Sequence, residues 1–142
     1  MPADENKAVY RRFIEEVFNS KNVARTDEFI QPEFVDHTPG LPSGLDGAKK
    51  GIVGFLTGFP DLHFTIEDQI AEGDKVVARL TMSGTHQGEF AAVPPTGRQV
   101  SVTGIDVWRV RNGKCAEHWL ALDNLGLMQQ LGAIPAPGQA RT

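Results

Sequence analysis

The sequence predicts an α+β fold in which N-terminal helices cover one face of a curved antiparallel sheet. Three observations carry this prediction. Apolar residues recur at helical spacing through the first third of the chain, the period drops to two after Pro60, and the later strand-like runs are joined by hairpin turns. Helices first and strands afterwards is the order in which a layer of helices packs onto one face of a sheet. Such a sheet forms a cone with an open mouth and a ligand-sized interior. The 142 residues fit one domain over 1–142, with a core from about 4 to 134 and a short C-terminal tail.

Between Asp4 and Ser20, Val9, Phe13, Val17 and Phe18 fall on one helical stripe among charged residues. A second, shorter helix is expected over 23–29, ended by Gln31 and Pro32. EFVDHTPGLPSG then starts extended and dissolves into a Pro and Gly loop that carries His37. A third helix runs from Leu45 to Gly58 with Ile52, Phe55 and Leu56 as its stripe. Gly47, Gly51 and Gly54 each weaken it by up to about 1 kcal/mol, a cost that close packing would explain. Leu62, Phe64 and Ile66 alternate with His63, Thr65 and Glu67, and EGDK turns this strand into KVVARLTMSGTHQG. After the turn-rich EFAAVPPTGRQ come VSVTGIDVWRV and KCAEHWLALD, joined by Asn112-Gly113, a strong hairpin signal. NLGLMQQLGAI closes the chain as a short amphipathic helix, with APGQART as a frayed tail.

A net charge of -4 with no basic concentration argues against nucleic acid. No apolar run approaches the ~20 residues of a membrane span, and MPADENK is not the start of a signal peptide, so a cytoplasmic protein is expected. A lone Cys115 allows no internal disulfide, and no Cys and His cluster has zinc spacing, so no metal is expected.

The Asn-Gly turn fixes a register for the last hairpin. With a two-residue loop, Arg111 lies opposite Lys114, Trp108 opposite Glu117, and Asp106 opposite Trp119. One face then carries Gly104, Asp106, Trp108, Cys115, Glu117, Trp119, Ala121 and Asp123. The other carries Thr103, Ile105, Val107, Arg109, Ala116, His118, Leu120 and Leu122. A single bulge would exchange the faces beyond it. The first face mixes tryptophans with acids, as a pocket wall does, and burial there would raise a carboxyl group toward the range useful for proton transfer. Asp106 and Asp123 are the acids of interest. Asp123 equally suits the N-cap of the helix that begins at Asn124, and Glu117 reads as a salt-bridge partner. His118 falls among apolar residues as a core histidine, whereas His37, on a loop rim beside Asp36, could reach a substrate oxygen. Ile105, Val107, Leu120 and Leu122 on the outer face would leave a large apolar patch, which predicts a homodimer.

The segments FVDHTPG, GTHQGEF, VPPTGRQV, GIDVWRVRNGKCAEHW and LDNLGLMQQLG resemble the SnoaL-like polyketide cyclases, or ester cyclases, of the nuclear transport factor 2-like superfamily. The resemblance runs from about Val9 to Gly132. It implies the helix-covered cone and a cofactor-independent, intramolecular aldol ring closure on a polyketide ester. It further implies an acid/base residue near the end of the last long strand. Asp123 matches that position, with Asp106 and His118 as helpers, while Trp108, Trp119, Phe55 and Phe59 would wall the small-molecule pocket. Many family members carry a further acid straight after Glu-His-Trp, where this chain has Leu120. The same cone also serves dehydratases, hydrolases and non-catalytic binding proteins.

Overall fold

The computed structural model describes residues 2–135 and Gly138, so most of the expected C-terminal tail lies outside the described residues. Helix α1 (Pro2–Phe13) runs on without a break into a π-helical turn, Ile14–Asn19. There the backbone bonds span five residues, Ser20 N–H to Glu15 O at 2.9 Å and Asn22 N–H to Val17 O at 3.0 Å. A π turn widens the helix, and such turns recur at functional sites. Here it lets Tyr10, Phe13, Ile14, Val17 and Phe18 all face inward, a broader stripe than the sequence predicts. The second expected helix is a single 3-10 segment, Val23–Glu28.

Strand β1 (Ile30–Asp36) begins where that segment ends, so Gln31 and Pro32 lie within a strand. Helix α2 (Gly44–Gly58) follows, then β2 (His63–Glu72), β3 (Lys75–Thr85), β4 (Gln99–Arg111), β5 (Lys114–Leu122) and helix α3 (Asn124–Leu131). The strand order is β1-β5-β4-β3-β2, antiparallel throughout except that edge strand β1 pairs parallel to β5. Helices α1 and α2 lie over one face of this curved sheet. One buried cluster joins them to Val76, Ala78, Leu80 and Met82 of β3 and to Val100, Val102, Trp108 and Val110 of β4. Gly47 is required by packing, because a Cβ there would stand 2.8 Å from the Pro42 carbonyl.

The register of the β4–β5 hairpin corrects the sequence reading. Arg111 pairs with Lys114 and Val110 with Cys115 as expected, but Arg109 then pairs with Glu117, leaving Ala116 as an extra residue. Beyond this bulge the faces are exchanged: Trp108 pairs with His118, Val107 with Trp119 and Asp106 with Leu120. His118, Leu120 and Leu122 therefore share the inner face with Asp106 and Trp108, and Glu117, Trp119 and Ala121 turn outward.

Candidate active site

Two connected spaces lie between the helices and the inner face of the sheet. An inner chamber of about 70 Å³ is walled by aromatic side chains, among them Phe13, Phe18, Phe55 and Trp108. An outer cleft of about 590 Å³ lies against the 38–42 loop, Phe90 and the start of α3. Leu41, Gly51, Phe55 and Leu120 border both spaces and form the neck between them. The outer cleft has the volume of a small-molecule site, whereas the inner chamber admits only a few atoms.

The polar wall of the inner chamber consists of Asp36, Asp106 and His118. Each is placed by strand alternation. Asp36 follows buried Phe34 by two residues on β1, Asp106 precedes buried Trp108 by two on β4, and the Ala116 bulge turns His118 of β5 toward them. Pairing of Asp36 with His118 across β1 and β5 completes the juxtaposition. The imidazole bridges the two acids: Nδ1 lies 2.9 Å from Asp36 Oδ2, and Nε2 lies 2.5 Å from Asp106 Oδ1. The Tyr10 hydroxyl donates to Asp106 Oδ2 at 2.7 Å, and the Thr38 N–H donates to Asp36 Oδ1 at 2.9 Å. The side chains of Asp36, Asp106 and His118 are 4%, 8% and 14% exposed.

Burial opposes a charge on His118, but the charge and hydrogen bond of Asp106, joined by those of Asp36, override it and push the imidazole up to about 10. Burial likewise raises Asp36, yet the His118 hydrogen bond and charge, with the Thr38 N–H, hold it below the ordinary carboxylate value. Near neutral pH the cluster is an imidazolium held by carboxylates. The acids take opposite ring nitrogens and so do not converge on one point. Among the described residues no group of three His, Cys, Asp or Glu side chains is arranged to hold a metal ion.

The other residues singled out by sequence are dispersed. Asp123 is exposed and caps α3, its Oδ1 accepting the Gly126 N–H at 2.9 Å, and it borders neither space. Trp119, expected in the pocket, lies on the outer face, where His37 stacks on it at 4.7 Å and 13°. His37 is half exposed and bonds Glu117 at 2.8 Å instead of reaching the chamber, and Glu117 also pairs with Arg109 at 3.0 Å. Trp108 and Phe55 line the inner chamber. Phe59 is fully buried behind it against His86 and Phe90, outside the lining of either space. The sequence reading missed Asp36 and Tyr10, although both were marked: Asp36 shares a strand face with Phe34, and Tyr10 lies three residues before Phe13 on the helical stripe.

The sequence model of the SnoaL-like polyketide cyclases matches residues 8–131. The nogalonic acid methyl ester cyclase of Streptomyces nogalater is 29% identical over 121 residues, covering 81% of this chain and 89% of that protein. The aklanonic acid methyl ester cyclase DnrD of Streptomyces peucetius is 29% identical over 131 residues, covering 86% and 87%. Among solved structures, TsrD from Streptomyces laurentii superposes with a TM-score of 0.85 at 33% identity, covering 92% of this chain and 97% of that one.

Proposed function

The chain belongs to the SnoaL-like polyketide cyclase family, and from that premise we propose that it closes a carbon ring in a polyketide methyl ester with the Asp36–His118–Asp106 cluster as its proton-transfer group. The observation that supports this most is the imidazole bridged between two acids at the end of an otherwise apolar chamber. A carbon flanked by two carbonyls is acidic enough for a carboxylate to take its proton. The cluster carries net charge -1 with His118 protonated, so accepting that proton relieves a buried charge. The carbanion, delocalised as an enolate, attacks a ketone carbon of the same molecule. A C–C bond forms, the ketone oxygen becomes an alkoxide, and the proton returns to it from the cluster. Product and substrate are isomers, and the balanced reaction requires no cofactor.

The two spaces divide the substrate. Its ring system occupies the outer cleft, and its reacting end passes the neck at Leu120 into the chamber. Holding the chain folded in this way supplies part of the rate by proximity. Leu120 at the neck carries no titratable group and leaves the proton work to the cluster behind it. The protein acts as a homodimer in this reading, joined through the outer sheet face. Ile70, Val77, Val107 and Trp119 form a row there across four strands, and Ile70 is 68% exposed. This row replaces the patch with Leu120 and Leu122 that the unbulged register predicts.

Incubation of the purified protein with nogalonic and aklanonic acid methyl esters, followed by chromatography and mass spectrometry, tests the reaction. The expected product has unchanged mass and altered retention. Tight binding with no isomerised product would identify a binding protein instead.

A further inference from the structure

We propose that Tyr10 is a positioning residue of this site, holding Asp106 in place and setting the proton affinity of the cluster, an inference that rests on the proton-transfer reading above. Tyr10 is fully buried on α1 and packs edge-on against Trp108 at 5.1 Å. It borders neither the chamber nor the cleft, so it acts on the reaction only through what it holds. Its hydroxyl donates to Oδ2 of Asp106, whose Oδ1 takes His118. The two bonds fix both oxygens of the carboxylate and therefore its plane. A buried tyrosine hydroxyl usually finds a partner, and a backbone carbonyl would serve that purpose. Its partner here is the one acid shared with His118. Burial first, then the charge and hydrogen bond of Asp106, raise the phenol well above its ordinary value, so Tyr10 stays a donor wherever the cluster titrates.

The electrostatic consequence has a definite sign. The groups facing His118 are Asp36 from β1 and Asp106 from β4, with Tyr10 behind the latter. Loss of the His118 proton leaves two carboxylates uncompensated, and the Tyr10 donor stabilises that more negative state most. Removing the donor makes the proton harder to lose, and strengthening it makes the proton easier to lose.

Tyr10 is the only tyrosine in the chain, so biosynthetic replacement of tyrosine by 3-fluorotyrosine alters this hydroxyl alone. Fluorine beside the hydroxyl makes it a stronger donor at almost unchanged size. Imidazole ¹⁵N NMR of His118 against pH, in Tyr10→Phe and in the fluorotyrosine protein, reads the effect. The expected result is an upward shift of about one pH unit for Tyr10→Phe and a downward shift for fluorotyrosine. With a turned-over methyl ester, Tyr10→Phe lowers kcat and leaves KM unchanged. Should Tyr10→Phe not fold, the fluorotyrosine protein carries the test. His118→Asn separates the two ideas. Full turnover in that variant would overturn the proton-transfer reading. Turnover lost there, with the His118 titration unmoved by either Tyr10 change, would overturn the role of Tyr10 alone.

Discussion

At the scale of single residues, the site depends on one histidine whose charge is held by acids on both sides. Asp106 and Asp36 lift His118 from 6.5 to about 10 in the folded chain. Because the folded value is above the unfolded one, this contribution is complete below about pH 6.5 and fades as pH rises toward 10. Asp36 is shifted the other way, so its contribution holds above the ordinary value of 3.8 and is lost as pH falls through that range. Melting temperature is therefore expected to decline between pH 6.5 and 10 in the wild type and to do so less steeply in His118→Gln. Equal slopes in the two proteins would show that His118 is not charged in the fold. The acids near His118 were only partly legible in the sequence. Asp106 follows from the regular alternation of β4, where every second residue from Val100 to Val110 but Gly104 carries an inward side chain of the core or the site. Asp36 follows from the same rule applied to β1, but the adjacent His37, the more familiar proton carrier, drew the functional reading away from it.

At the scale of elements, the decisive feature is the single extra residue in β5. Were Ala116 paired with Arg109 instead of left over as an extra residue, the ladder from Val110 and Cys115 would continue unbroken and carry Glu117 and Trp119 inward. That register would bury the Glu117 carboxylate away from Arg109 and His37, at a cost of several kcal/mol. Deleting Ala116 removes only the extra residue and leaves Glu117 opposite Arg109 and His118 opposite Trp108, so the deletion variant is expected to keep a cooperative thermal transition by circular dichroism. Loss of that transition would contradict the bulged register. The sequence holds a faint mark of the bulge, since the inward apolar residues Cys115 and Leu120 differ in parity. Trp119 concealed it. An aromatic of that size suggests a core position, yet here it is accommodated outside by stacking under His37 and by Lys75, whose ammonium lies 5.8 Å from its ring. The Phe90–Val93 turn shows a different local compromise. Ala91 and Ala92 both adopt positive φ, a backbone that costs about 1–2 kcal/mol per alanine. The turn seats Phe90 against Phe55 and Phe59 at the wall of the outer cleft. Gly58 permits that approach, since a Cβ there would lie 2.7 Å from Phe90. No composition signal foretells two left-handed alanines, because the packing of Phe90 imposes them.

At the scale of the whole molecule, the sheet has two uses for its two faces. The inner face, with the helices, encloses the chamber and cleft. The outer face presents the row from Ile70 to Trp119, flanked by the ion pairs of Arg79 with Asp68 and of Arg109 with Glu117. Each side of that row offers both signs of charge, which suits contact with a second copy of itself. Sedimentation equilibrium at micromolar concentration is expected to give twice the chain mass, with Ile70→Asp shifting it toward the monomer. A monomeric wild type would remove the dimer from the account.

The most direct test of the site compares turnover of a polyketide methyl ester by Asp106→Asn and Asp123→Asn. Asp106 touches His118 inside the chamber, and Asp123 caps α3 outside it. Asp106→Asn is expected to lower kcat by roughly a hundredfold or more, the scale for losing a general base. Asp123→Asn, which keeps an acceptor for the Gly126 N–H, is expected to stay within a few-fold of wild type. Turnover lost in Asp123→Asn and kept in Asp106→Asn would contradict proton transfer by the Asp36–His118–Asp106 cluster.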